Sequence, residues 1–332
     1  MIKIYDYSKE RYRRLLSYFK SIHINILECY HSKKSNVKTQ KVHLEAQILI
    51  TTHSLEKGMG LENTRVGYGQ KKVKQLLQDL ERYLEKNYSK TSYAFLEAIK
   101  LLEVYIAYQK SNGIDIKELE KKVDLIKGKI NGDTLRLLED YRCGYDLFRK
   151  EDILKAEDFN FKDFVSLKHS IRKYKPELID DATMREAIEI ANLAPSACNR
   201  QPIKVYCAGS KEAVEGTDRL ITGNYGFKGA IPNYAIITSD RAYYLEDEQF
   251  QWYVNGGIYL SYFTLALHSM GIGSLIMQWF PFYKTENELK KYYNISQSEA
   301  IVAVVGYGYY SDNFKCLCAQ RRSAEDTLKI KR

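Results

Sequence analysis

Through the first 160 residues, apolar side chains recur at intervals of three and four, the spacing that places them on one face of an α-helix. Proline, whose ring breaks a helix because it removes an N–H donor, first occurs at position 176. We therefore predict an all-helical N-terminal domain, residues 1–160, whose helices pack on one another, on the rest of the chain or on a second copy. Glycines that end helices are expected at Gly113 and Gly132. The predicted faces are Tyr12, Leu15, Phe19, Ile22, Ile26 and Cys29; Val73, Leu76, Leu80 and Leu84; Phe95, Ile99, Leu102 and Ile106; Ile116, Leu119, Val123, Ile126 and Ile130; and Leu135, Leu138, Tyr145 and Phe148.

After residue 165 the pattern changes to short apolar runs that alternate with helices. A helix is predicted from Asp181 to about Ala194. A few strands with intervening helices are typical of an α+β layer structure rather than of a regular parallel sheet, so we assign residues 161–332 to an α+β domain. The length of 332 residues also favours two domains. The predicted strands cover residues 203–208, 234–238, 274–280 and 300–307.

One long uncharged stretch, residues 249–283, is long enough for a membrane span. Asn255 and His268 interrupt its apolar positions, and Gly271 and Gly273 divide it into a helix followed by a strand. We therefore predict no membrane span. A helix that is apolar on most faces is usually buried, commonly at the centre of an oligomer.

The charge distribution narrows the classes of partner. The net charge is +9, and most of the excess lies before residue 166. The cluster of Lys33, Lys34, Lys38 and Lys41 could attract nucleic acid or anionic lipid. No groove of alternating basic and aromatic residues accompanies the cluster, so we interpret it as a solvated loop and predict no nucleic-acid partner.

The six cysteines, in a chain without a signal peptide at its start, indicate reduced thiols and a cytoplasmic protein. Cys198 and Cys207 are too far apart for the usual zinc knuckle, and Cys316 and Cys318 are too close together. Packing is the default role of these thiols, and we predict no metal site.

The segment Lys168-His169-Ser170-Ile171-Arg172 and the later turn Pro195-Ser196-Ala197-Cys198-Asn199-Arg200-Gln201-Pro202 carry the candidate chemistry. Two cations on either side of a hydroxyl can bind a phosphate by charge-assisted hydrogen bonds, and a turn with proline and asparagine offers backbone and amide groups to a flat heterocycle. In this order and spacing, the two motifs resemble those of the nitroreductase family of flavin mononucleotide (FMN) enzymes. The resemblance extends over residues 165–330 and includes the segments 223–228, 255–257, 271–274 and 321–322.

The resemblance implies a mixed sheet flanked by helices and a homodimer in which each FMN site lies between two subunits. Lys168 stands where the family more often has arginine, Ile203 where it usually has an aromatic residue, and Ala319 where it often has serine or a basic residue. By resemblance, Lys168, His169 and Ser170 contact the phosphate and ribityl chain; Arg172 contacts the phosphate or the pyrimidine edge; Pro195, Ser196, Ala197 and Asn199 line the ring, with Lys228 nearby; Ile276, Met277 and Gln278 pass its N5 edge; and Arg321 with Arg322 closes over the phosphate.

The function that the resemblance implies is FMN-dependent oxidoreduction, in which NAD(P)H reduces the flavin at N5 and a small organic acceptor is then reduced. The flavin supplies the chemistry, so no catalytic acid or base is assigned. The alternative is a flavin-binding or degenerate scaffold protein whose helical half recruits a partner in polysaccharide biosynthesis.

The segment from Thr51 to Met59, Thr-Thr-His-Ser-Leu-Glu-Lys-Gly-Met, resembles one in nitroreductase-like proteins that have long helical N-terminal extensions. Such proteins are often encoded among polysaccharide-synthesis genes. His53 and Glu56, three residues apart, could hydrogen-bond on one helical face. The other interpretation is the end of a helix that Gly58 caps.

Overall fold

The structure, a computed structural model, describes residues 37–60, 64–65, 67–139, 141–144, 159–224, 227–245, 248–277, 279, 283–312, 314 and 323–332, and scattered residues between 11 and 30. The N-terminal part of the described chain is helical. Helices α1 to α5 comprise, in chain order, Val37–Met59, Gln70–Glu85, Tyr93–Ser111, Lys117–Lys127 and Gly132–Glu139.

These helices bury the faces that their spacing predicts. Helix α1, to which the sequence analysis assigned no apolar face, packs against both α2 and α3. Ser92 caps α3 by accepting the N–H of Phe95, which fixes the residue where that helix begins. The prediction of a helical region before the α+β part is therefore confirmed. The shared core includes Ile48, Leu55, Val73, Leu76, Leu80, Phe95, Ile99, Leu102, Val123, Ile126, Ile130 and Leu138.

The first predicted face differs from this pattern. Its described members are helical, and no part of the described chain covers them. Of the predicted alternatives, packing on a second copy stays a prediction. Cys29, Tyr145 and Phe148 lie outside the described residues. Gly132 begins α5 rather than ending a helix, whereas Gly113 follows α3 with a φ of +76°, as expected. The exposed members, each more than half accessible, are Tyr12, Leu15, Phe19, Ile22 and Ile26.

The C-terminal part consists of a sheet and helices. Its helices α6 to α11 are Phe161–Ser166, Asp181–Ala191, Lys211–Leu220, Gln251–Ser269, Tyr283–Tyr293 and Ala324–Thr327. Its strands β1 to β4 are Ile203–Cys207, Asn233–Asp240, Ile272–Met277 and Glu299–Tyr309, and two single turns of 3-10 helix cover Ala197–Asn199 and Arg241–Tyr243.

The sheet has the order β1-β2-β4-β3, and its described strands all pair antiparallel. The central strands β2 and β4 are buried along almost their whole length, because helices cover both faces of the sheet. Ala235 and Ile237 point toward α7 and α9, while Tyr234 and Ile236 point toward α8 and α10, as the alternation of side chains along a strand requires. The α+β class is confirmed.

Contacts between the helical part and the sheet part concentrate on the two 3-10 turns. Helix α1 packs against both turns. The side-chain amide of Asn199, in the first turn, donates a 2.8 Å hydrogen bond to the Tyr93 hydroxyl at the start of α3. The helical part therefore contacts the turn that the sequence analysis assigned to flavin binding.

Helix α9 lies against the sheet through a glycine. A Cβ atom on Gly256 would lie 2.4 Å from Cγ2 of Val302 on β4, whereas one on Gly257 would meet no atom within 4 Å. Of these two adjacent glycines, only Gly256 is required for the close approach of α9 to β4. In the described part of the chain, no helix has the length and apolar content needed to cross a membrane.

We expect Gly256→Ala to lower the free energy of unfolding by about 1 to 3 kcal/mol, because the added methyl group overpacks the contact with Val302. Gly132→Ala, at the exposed start of α5 where a Cβ atom would also meet nothing within 4 Å, is the control and should leave stability unchanged or raise it by up to about 1 kcal/mol. Chemical denaturation of both variants measures the difference. Equal stabilities would show that α9 does not lie this close to β4.

Candidate functional site

The segment from Lys168 to Arg172 lies along the outer edge of β3. The Ile171 N–H donates to the Ser274 carbonyl at 3.0 Å, and Ser170 forms an isolated parallel bridge with Ser274. Ile171 is buried and anchors the segment to the sheet. This contact requires glycine at 273, since a Cβ atom there would lie 2.8 Å from Cγ1 of Ile171.

The groups at this edge favour an anion. Lys168 is half-buried, and burial lowers the pKa of its ammonium group. Among the described residues, no carboxylate forms an ion pair with it. Burial also lowers the pKa of His268, an effect to which the positive charges of Lys168 and His169 add, so cations crowd this corner. The Ser274 hydroxyl is buried and has no hydrogen-bond partner in the described structure.

A phosphate fits this arrangement, because it would pair with the cations and could accept a hydrogen bond from a free hydroxyl. Arg172 and His169, in the same segment as Lys168, are exposed, and Nη1 of Arg172 lies 3.4 Å from the Ser170 carbonyl oxygen. Lys228 is also exposed, in the loop that leads into β2 at the same end of the sheet. On β3, Ile276 is 42% exposed on an otherwise buried strand, while Met277 is buried.

The turn that follows α7 has an unusual backbone. Cys198, Asn199 and Gln201 have φ values of 50°, 51° and 48°, in the left-handed region that side chains other than glycine disfavour. Such strain persists only where the surroundings hold it.

Arg200 holds this turn from inside the protein. Its side chain is 1% exposed and donates to the Ala197 carbonyl at 2.9 Å and the Tyr243 carbonyl at 2.7 Å. Its two terminal nitrogens each donate to a different carboxylate oxygen of Glu248 at 2.7 Å. These hydrogen bonds from Arg200 lower the pKa of Glu248. One buried arginine thus joins the turn to the second 3-10 turn and to the chain just before α9.

Asn255, one turn inside α9, holds the same turn from the other side. Its carboxamide oxygen accepts the Ala197 N–H at 3.1 Å, and its nitrogen donates to the Tyr244 hydroxyl at 2.9 Å. Helix α9 begins at Gln251 rather than near Asn255. A cleft of about 170 Å³ opens beside the turn, lined by Asn192, Ala194, Pro195, Ser196, Gln201, Ile203, Asn255 and Tyr259.

The structure places the predicted residues in two groups at opposite corners of the sheet. The turn comes directly before β1 in the chain, whereas the segment from Lys168 to Arg172 lies alongside β3. Strands β1 and β3 are the two edge strands of the sheet. The edges are about 14 Å apart, since neighbouring strands are about 4.8 Å apart. The two groups are also offset along the strands. Ile203, next to the turn, is level with Ala300 of β4 through Ser239 of β2, whereas Ser274, next to the Lys168 segment, pairs with Tyr307 of β4. The distance from Ala300 to Tyr307 along β4 is about 23 Å. Gln278, Arg321 and Arg322 lie outside the described residues.

The N-terminal segment singled out from the sequence lies close to the turn. The Nδ1 atom of His53 is 3.6 Å from Oε2 of Glu56, so these side chains do meet on one helical face. Helix α1 continues to Met59 through Gly58, where a Cβ atom would lie 2.1 Å from the Tyr68 ring. Gly58 therefore serves a close approach and does not cap the helix.

Sequence reasoning did not assign roles to Arg200, Glu248 or Asn255 in holding the turn. The signal that could have drawn attention to Arg200 is an arginine enclosed by Pro195 and Pro202 in a turn with no acidic neighbour in sequence. A residue of that kind must find its counter-ion elsewhere in the fold if it is buried.

The fold and site define an α+β protein with a cationic corner suited to a phosphate and, at the opposite corner, a strained turn beside a cleft. Residues 166–230 and 222–309 match the model of the Nitroreductase family. Between residues 166 and 309 the chain is therefore similar to this family.

Several solved structures match about half of the chain. A nitroreductase family protein from Streptococcus pneumoniae TIGR4 is 22% identical, with 52% of this chain and 100% of that chain covered and a TM-score of 0.44. An FMN-dependent nitroreductase from Clostridium difficile R20291 is 20% identical, with 50% and 96% covered and a TM-score of 0.43. No curated protein matches the sequence significantly.

We expect Glu248→Gln to lower the free energy of unfolding at neutral pH by about 1.5 to 3 kcal/mol, the range for hydrogen bonds to a charged group. The pKa of Glu248 is lowered in the folded state, so its contribution is present above the usual glutamate pKa and is lost as the pH falls through the folded value. The difference between wild type and variant should therefore shrink below about pH 4.

Urea titrations across this pH range measure the effect. Glu215→Gln, an exposed glutamate on α8, is the matched control and should show no such pH-dependent difference. A difference for Glu248→Gln that stays constant down to low pH would contradict an ionised pair with Arg200.

Proposed function

We propose that this protein is an FMN-dependent oxidoreductase that uses NAD(P)H to reduce a small organic acceptor. The observation that carries the proposal is the corner beside β3, where a desolvated lysine and a buried hydroxyl, neither with a partner among the described residues, suit a phosphate. Similarity to the nitroreductase family makes the phosphate of FMN the best candidate. When bound, FMN supplies hydride transfer, so the protein need only bind it, orient it and exclude water.

The residue roles follow the resemblance to the nitroreductase family. Lys168, His169, Ser170 and Arg172 would bind the phosphate, the ribityl chain and the pyrimidine edge. Pro195, Ser196, Ala197 and Asn199 would line the ring, with Ile276 and Met277 beneath its reactive edge and Lys228 near it. The exposure of Ile276 supports this assignment, because an isoleucine open to solvent on an otherwise buried strand leaves an apolar surface for a ring to cover.

We also propose that each site draws on two chains. Within one chain, the residues proposed to bind the phosphate and the turn proposed to line the ring lie at diagonally opposite corners of the sheet. They are too far apart to bind one FMN molecule. The exposed apolar side chains of α9, Tyr253, Val254 and Tyr262, together with the open surface at Gly257, support a dimer through this helix. A twofold dimer would place the turn of one chain beside the β3 edge of its partner.

For the helical part we propose that it shapes access to the flavin through the Asn199–Tyr93 contact. A link to polysaccharide biosynthesis rests only on the resemblance of the segment from Thr51 to Met59.

Purified protein should be a yellow dimer with bound FMN, and Arg172→Ala should weaken FMN binding by about 1.5 to 3 kcal/mol, the loss expected for a hydrogen bond to a charged group. Quenching of FMN fluorescence measures the affinity. Arg185→Ala, an exposed arginine on α7, is the control and should bind as the wild type does. A colourless protein that refuses added FMN would favour the scaffold alternative. Unchanged affinity in Arg172→Ala would remove Arg172 from the site.

The shared site predicts complementation between two defective chains. Arg172→Glu should repel the phosphate, and Ser196→Trp should fill the cleft, so each homodimer should lose FMN. A heterodimer of the two, isolated with different affinity tags after coexpression, has one site with both halves intact and should bind about one FMN. Heterodimers without FMN, formed from folded chains, would show that each site lies within one chain.

A further inference from the structure

Three chain segments of the helical part bring metal-ligating side chains together. Glu56 on α1, Glu97 on α3 and Cys143 after α5 each place one donor atom within 4.8 Å of the other two. Sγ of Cys143 lies 3.5 Å from Oε1 of Glu97 and 3.9 Å from Oε1 of Glu56. These residues lie outside the flavin site and have no role in the proposed reaction.

These distances are close to those of a metal coordination shell. Zinc binds thiolate sulfur at about 2.3 Å and carboxylate oxygen at about 2.0 Å, in tetrahedral geometry. Two such ligands on one ion are therefore about 3.5 Å apart. The thiol sulfur is thus close to the separation that one ion needs from each of the two carboxylates, which themselves lie within 4.8 Å of each other.

The cluster is held in place from several sides. The Gly144 N–H donates to Oε1 of Glu56 at 3.1 Å, and His53 contacts the other oxygen of the same carboxylate. Gly144 has a φ of +97°, and a Cβ atom there would lie 2.8 Å from Cγ1 of Val104, so the backbone beside Cys143 has this position only with glycine.

The charges of the cluster lack compensation. Glu97 is 7% exposed, and neither Glu97 nor Glu56 forms an ion pair with a lysine or arginine of the described chain. Thr52, one helical turn before Glu56 on the same face of α1, has a buried hydroxyl without a hydrogen-bond partner in the described structure. Buried carboxylates are costly unless a cation or a proton neutralises them, and an unsatisfied hydroxyl beside them indicates a missing polar partner.

We propose that Glu56, Glu97 and Cys143 bind a divalent transition metal of the zinc type, with a position left open for water or another ligand. One thiolate and two carboxylates suit Zn²⁺ or Co²⁺ better than Mg²⁺ or Ca²⁺, which take oxygen ligands alone. On binding, Cys143 releases its thiol proton to solvent, and the two metal charges offset the carboxylates. His53 acts as a positioning residue that orients Glu56.

The site would also brace the turn of the proposed flavin site. Tyr93 lies one helical turn before Glu97 on α3, and its hydroxyl accepts the hydrogen bond from Asn199. A metal that ties α1, α3 and the segment at Cys143 together would fix the helix end from which Tyr93 contacts the turn. The metal site itself does not depend on FMN, so its test is independent of flavin binding.

Titration of the metal-free full-length protein with Co²⁺ tests the proposal, because a cobalt–thiolate bond gives a charge-transfer absorption that carboxylates do not. We expect saturable binding with this absorption, and its loss on addition of Zn²⁺. Cys143→Ser should abolish the absorption. Cys207→Ser, which removes an exposed cysteine at the end of β1, is the matched control and should retain it.

Two further variants keep the test decisive if Cys143→Ser does not fold. Glu97→Gln should weaken Co²⁺ binding by more than about tenfold, and His53→Ala by about 10- to 100-fold, the usual effect of losing a residue that orients a ligand. Absence of the cobalt–thiolate absorption in the folded wild-type protein would overturn the proposal. So would an absorption that persists in folded Cys143→Ser.

Discussion

The buried ion pair between Arg200 and Glu248 is the interaction on which the site depends most. Three nearby residues have backbone angles that cost about 1 to 3 kcal/mol each, and the turn keeps them because Arg200 joins its Ala197 carbonyl to the Tyr243 carbonyl of the second 3-10 turn and to Glu248. Arginine suits this task, because its planar fork meets the carboxylate with two parallel hydrogen bonds. This turn contacts α9 and the helical part and borders the cleft, so its shape determines how these three parts are positioned.

The sheet sets the second constraint. Its order puts β1 and β3 at opposite edges, and each edge carries one half of the predicted site. Because a four-stranded sheet is rigid and buried on both faces, no small motion within one chain can bring the halves together. The apolar and partly open face of α9 is the surface that the proposed dimer would bury.

The helical part lies next to the turn rather than next to the cationic corner at Lys168 to Arg172. Glu97, one member of its cluster of two carboxylates and a thiol, lies one helical turn after Tyr93 on α3. The proposed metal centre and the proposed flavin ring would therefore lie on either side of the same strained backbone. Such an arrangement gives the N-terminal helices a structural task at the site without requiring them to take part in hydride transfer.

Much of the fold was predictable from local patterns. The spacing at Val73, Leu76 and Leu80 predicted a buried helical face, and the apolar runs predicted the positions of all four described strands, because hydrophobic periodicity reflects the local backbone. The motif at Lys168 to Arg172 also pointed to the family.

Local pattern carried less information about α1, whose face was missed because buried polar residues such as Glu45 and Thr52 interrupt its apolar spacing. It also could not show that the face containing Tyr12 and Phe19 finds no cover among the residues that the structure describes. Burial depends on the neighbours that the fold supplies, and the spacing along one helix does not name them.

The sequence by itself determined the elements, the α+β class and the residue types available to bind a phosphate. Only the tertiary structure decided which residues meet. Cys143 contacts Glu56 across 87 positions, Arg200 finds Glu248 across 48, and the two motifs of the predicted flavin site stand at opposite corners although they are neighbours in sequence. The physical reason is that side-chain periodicity is fixed by the backbone over a few residues, whereas ion pairs, ligand clusters and shared sites arise from the packing of distant segments and of separate chains.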